Sequence, residues 1–232
     1  GYGSASSDAT PEPPTAAVLM RSKKWMQLFR EAIETQGLSV EVVGLGGLLE
    51  LPEIIDLTSA LRVIHDPSRG TELVRLLTGA RWQVGLKDID GLFRFAKKRS
   101  YNNEDRDVEG KSDESNLSIV DALDLLISDY REWNTDISAE GLVRMQDAAR
   151  LFRNLRSKQG LPLHELVRAI EQELWLDIEL RANPSRVNPM QHLNAFANIV
   201  GNYDATSSGG LASFLEWLEY AAEMERFDVA PA

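Results

Sequence analysis

Apolar residues recur at spacings of three and four along most of the chain, the period of a helix with one buried face. Leu51, Ile54, Ile55, Thr58, Leu61 and Val63 follow this period. Pro52 stands in the first turn, where its missing N–H costs nothing. Trp25, Leu28, Phe29, Ala32 and Ile33 predict an earlier helix, closed by Gly37 as a C-cap glycine. After Asp66-Pro67-Ser68, which caps it, comes a helix carrying Leu73, Leu76 and Leu77. Further helices are predicted at 87–98, 117–130, 138–158, 162–180, 190–203 and 211–224. Two short apolar runs, 16–20 and 40–43, read as strands. With the helix between them they form a β-α-β unit with parallel strands and a right-handed crossover. Gly44, Gly46 and Gly47 are the expected structural turn after the second strand, since glycine tolerates positive φ. The expected fold is mainly α, a helical body with a small β-α-β edge at its N-terminal side.

Breaks in the pattern divide the chain. Residues 1–15 are small, polar and proline-rich and read as a disordered leader. Residues 16–65 hold the α/β segment, 66–226 the helical body and 227–232 a tail. Residues 78–85 form a tight connection, and 100–116 are acidic without periodicity, a surface loop. No fixed-period repeat is visible.

Composition narrows the chemistry. A hydrophobic share of 43% supports a real core across 232 residues, and a net charge of −11 argues against a general nucleic-acid sponge while leaving room for a local basic patch. Without cysteine there are no disulfides or thiolate metal sites. No apolar run approaches the roughly 20 residues that span a bilayer, so no membrane partner is expected. No signal-peptide pattern is present, and a cytoplasmic location is the default. A phosphate-cradling G-x-x-x-x-G-K-[ST] loop is missing, and Leu49 stands where a dinucleotide fingerprint needs glycine or alanine. His65, His164 and His192 lie far apart and read as cap or surface residues. Glu50, Glu53 and Asp56 lie near a helix start, where acidic side chains oppose the dipole. The tryptophans at 25, 133, 175 and 217 fall within helical periods and read as core. Catalytic, cofactor-binding and metal residues are therefore expected to be none.

Trp82 differs from the others. It sits in a glycine-bounded connection beside Arg81 and just before Gly85 and Lys87. A basic–aromatic loop that opens a helix contacts phosphates through side chains and free backbone N–H groups. The same tryptophan also fits as a plug between helices, and the sequence leaves both roles open.

Several stretches resemble UvrD/Rep/PcrA-type superfamily 1 DNA helicases. They are Ala17-Val18-Leu19-Met20-Arg21-Ser22, Val40-Glu41-Val42-Val43-Gly44, Glu53-Ile54-Ile55-Asp56 and Leu61-Arg62. They look like the edge of that family's 2A motor subdomain. Leu73-Val74-Arg75-Leu76-Leu77 followed by Gln83-Val84-Gly85 resembles the entry into the inserted helical 2B subdomain, where Gln83 replaces the first glycine of a G-I-G turn. Leu211-Ala212-Ser213-Phe214-Leu215 resembles the last 2B helix. The wording GLGGLL and LLTGARW is most like an actinobacterial branch, some of whose members work as helicase–nuclease heterodimers. The resemblance implies a 2B-containing fragment of an ATP-dependent DNA helicase of repair or recombination. ATP and Mg²⁺ would serve the parent and not this fragment. Implied partners are duplex and single-stranded DNA, the remaining helicase subdomains and a second helicase–nuclease subunit. Implied DNA-contacting residues are Arg81, Trp82, Gly85, Lys87, Arg21 and Ser22. A helical protein-interaction module with no nucleic-acid role is the alternative.

Overall fold

Helix α3 (Pro52–His65) is the hub of the body. Ile54, Leu57, Ala60, Leu61, Val63 and Ile64 are all buried, so nearly every face of the helix meets a neighbour. Burying each such leucine or isoleucine contributes about 1.5–3 kcal/mol. Pro52 occupies its first turn, as expected. In this computed structural model the described residues are 18, 25–38, 40, 45–104, 117–128, 137–184, 188–207 and 209–227. Around α3 lie α4 (Gly70–Thr78), α7 (Ala139–Ser157), α8 (Leu163–Glu173), α10 (Gln191–Thr206) and α11 (Leu211–Phe227). The remaining helices are α1 (Met26–Thr35), α2 (Leu45–Leu49), α5 (Leu86–Glu104), α6 (Ile119–Leu125) and α9 (Leu176–Ala182). One hydrophobic core runs from Leu48 to Leu218 and is continuous across residue 65. Phe196, Tyr203, Phe214 and Trp217 stack edge and face at its α10–α11 end.

The helical period located most elements, and local chemistry explains their ends. Ser138 caps α7, its hydroxyl accepting from the Gly141 N–H at 3.0 Å. Gly37 ends α1 at φ 76°, where the Leu38 N–H reaches back to the Ile33 carbonyl and the Gly37 N–H to that of Glu34. Asp66 accepts from the Ser68 N–H and hydroxyl, both at 2.8 Å, and these bonds hold its carboxyl below the usual range. The capping residue of α4 itself is Arg69.

Three expectations change, and the expected β-α-β edge falls mostly outside the described residues. Those residues are mainly α-helical and include no strand. Residues 16, 17, 19, 20 and 41–44 of that edge lie outside the described residues, as do the leader and 228–232. The glycine turn is in part a helix: Gly46 and Gly47 belong to α2, and Gly37 is the described glycine with positive φ. Leu45, Leu48 and Leu49 lie on one face of α2 and pack against the core, and α2 lies against α11. That burial outweighs the helix cost of two glycines, roughly 1 kcal/mol each. The helix expected over 162–180 is two, broken at Leu174 and Trp175, with Trp175 in the left-handed region. Finally, α5 continues to Glu104, into the segment expected as loop, and 105–116 lie outside the described residues.

Candidate nucleic-acid interface

The connection between α4 and α5 is built as a rigid staple. The Gly79 N–H closes α4 by donating to the Arg75 and Leu76 carbonyls, at 3.0 and 3.2 Å. A Cβ there would sit 3.3 Å from both of those oxygens. The chain then turns back, with Gln83 N–H on the Gly79 carbonyl and Val84 N–H on that of Leu77. Trp82 drives inward and is only 3% exposed. Its ring meets Phe152 of α7 at 5.8 Å, and its Nε1–H donates to Asp147 Oδ2 at 3.0 Å. Arg144 clamps the turn from the same helix by donating to the Trp82 and Gln83 carbonyls, and it pairs with Glu140. Trp82 is therefore the packing plug.

Arg81 is also committed to the protein. It pairs with Asp147 at 3.3 Å, donates to the Glu173 carbonyl at 3.5 Å and lies over the Trp175 ring at 3.7 Å. The exposed limb of the turn is Gln83, Gly85, Leu86 and Lys87. Lys87, Arg94 and Lys98 recur at seven and four residues along α5 and are all exposed, so they form one basic stripe that starts at the turn. Two acids lie in the same helix, and exposed Asp90 pairs with Arg94 at 3.0 Å. Asp88 is turned to α7, where it accepts from the Ser138 N–H at 2.7 Å and hydroxyl at 2.9 Å. A Cβ on Gly141 would overlap that carboxylate. Arg21, Ser22 and Gly44 lie outside the described residues.

Two features were misread from the sequence. Trp175 and Trp25 are not core, at 51% and 50% exposed; Trp217, 37% exposed, packs only at the core's edge, and Trp133 lies outside the described residues. His192 is neither cap nor surface residue. Its Nδ1 lies 2.8 Å from Glu53 Oε1, with side chains 12% and 4% exposed. This buried pair ties the start of α10 to the start of α3, and Gln191 beside it donates to the Val40 carbonyl at 3.3 Å. Glu53 stands in the first turn of α3, as expected, and Asp56 takes a different partner. Asp56 pairs with Arg75 at 2.6 Å; burial raises its carboxyl pKa more than Arg75 lowers it, and Glu53 adds to the rise. Arg144 and Asp147 were missed because their partners lie 62 and 65 residues away. Among the described residues no group of acids and histidines forms a metal site.

Beside the turn, the α8–α9 junction carries a titratable strain. Burial pushes the Glu171 carboxyl above its ordinary 4.5, and Asp177 adds to the push against Arg168 and Arg181. A raised folded pKa means that the charged form works against folding at neutral pH, and that this penalty fades as pH falls through the raised value. Glu171→Gln should therefore melt about 1–2 °C higher at pH 7. The advantage should vanish as pH falls to 4.5 and below, which paired thermal melts at the two pH values will check.

No protein-family model matches the chain. No curated protein matches it either.

Proposed function

We propose that the chain is the accessory, 2B-like part of a UvrD/Rep/PcrA-type ATP-dependent DNA helicase, contacting duplex DNA through the α4–α5 turn. The sequence resemblance supports this reading, and the helical body is compatible with it. The observation that carries it is the division of labour in the turn. Trp82 and Arg144 fix the backbone, and Gly85 and Lys87 stay in the open at the head of a basic stripe. A fixed loop needs no ordering on binding, so little affinity is lost to entropy. Phosphate contacts of this kind position a duplex without reading its sequence. The role is regulatory: gripping the duplex and setting open against closed states of the motor. ATP and Mg²⁺ act in the parent's motor subdomains, and a second helicase–nuclease subunit is a partner of the parent.

Hydrogen exchange tests the assignment. A blunt duplex at low salt should slow amide exchange at 85–88, and Mg·ATP should slow it nowhere. Protection that Mg·ATP induces, or a duplex footprint confined to other helices, contradicts the proposal. One observation favours the alternative of a protein-interaction module. Trp25, Leu28 and Phe29, all about half exposed, form an apolar stripe on α1. A duplex that leaves every amide unchanged would move the assignment to that reading.

A further inference from the structure

We infer that the cleft beside the turn takes an unpaired nucleobase, stacked on Trp175. This deepens the DNA-contacting reading and rests on it. Among the described residues, Gln83 and Trp175 are the non-glycine residues with positive φ, at 49° and 60°. Both line one cleft of about 490 Å³, with Arg81, Trp82, Arg144 and Asp147. Backbone strain of this kind gathers at ligand clamps. Glycine or asparagine usually follows a helix in this conformation, yet a tryptophan stands here after α8. Burial does not account for it, since the ring is 51% exposed.

The ring is held for stacking. The Arg81 guanidinium covers one face of the indole, 3.7 Å from its centroid, and lies 5.6 Å from the Trp82 ring; the 51% exposure leaves the other face open to a base. Asp147 and the Glu173 carbonyl fix that guanidinium in turn. Arg144 holds the Gln83 carbonyl at 2.7 Å, so the opposite wall is fixed as well. A flat ligand gains a rigid platform, and every base has a face to offer it. Lys87, four residues beyond Gln83, opens the basic stripe of α5 and offers a phosphodiester strand a cation next to the turn, which an aromatic side chain from a protein partner would not use. The site thus suits a base at a junction between duplex and single strand.

Fluorescence anisotropy with a labelled duplex, blunt or bearing a single-stranded thymine tail, tests this. Wild type should bind the tailed duplex about tenfold more tightly than the blunt one. Trp175→Gly, a residue that the backbone favours at this point, should lose the preference and keep both the blunt affinity and the melting temperature. Trp175→Asn should behave the same way, and Trp175→Phe should retain part of the preference. Equal binding of tailed and blunt duplexes by wild type, or a preference that survives Trp175→Gly and Trp175→Asn, overturns the stacking site alone. Absence of binding to either duplex overturns the stacking site and the DNA-contacting reading together.

Discussion

Trp82→Ala is expected to lower the free energy of unfolding by about 3–5 kcal/mol, the usual range for emptying a buried aromatic site. The ring is 3% exposed and lies between the turn and Phe152, so its loss leaves a cavity at the joint of α4, α5 and α7. Relaxation is restricted because Arg144 and the Leu77 carbonyl still hold the backbone on both sides. Trp82→Phe should cost only about 1 kcal/mol. It keeps most of the apolar ring and loses the bond to Asp147, whose side chain is 49% exposed and regains water. Urea denaturation of the three proteins measures the difference. A cost below about 1 kcal/mol for Trp82→Ala would remove the plug from the account of the turn.

His192→Ala should cost about 1–3 kcal/mol, because it removes the 2.8 Å hydrogen-bond partner of a Glu53 side chain that is 4% exposed. Glu53→Leu alone should cost a similar amount. The double variant Glu53→Leu with His192→Leu should fall much closer to wild type, since a buried pair is often replaced by apolar groups at little cost. The single costs should therefore fail to add by about 1–3 kcal/mol in a denaturation cycle. Additive costs would mean that the 2.8 Å contact carries no coupling.

The pair also shows where sequence reasoning stops. Glu53 looked like an ordinary first-turn acid, and nothing near it in sequence announces a histidine 139 residues away. Local signals served where the determinant is local. Pro52 at the start of α3 and Gly37 after α1 each act on their own backbone, and each was legible. The two glycines of α2 misled because tertiary burial of Leu48 overrode their preference for a turn. Trp175 misled for the opposite reason. Its spacing fits a continuous helix, but the backbone at that residue is left-handed. The candidate turn was visible as a basic–aromatic connection, yet its division into a buried half and an open half depends on Asp147 and Arg144 of α7.

The central claim is that the open half of this turn and the stripe behind it meet DNA phosphates. The most direct measurement is duplex affinity against salt concentration, by anisotropy, for wild type and for Lys87→Ala with Lys98→Ala. Both lysines are exposed, so the double variant should fold as wild type does. A net charge of −11 disfavours the duplex at long range, so whatever affinity exists must come from local contacts. The account predicts weak, sequence-independent binding at low salt that falls steeply as salt rises. It also predicts a salt slope shallower by about two units in the variant, one for each lost phosphate contact. An unchanged slope in the variant, or no wild-type binding at low salt, would contradict it.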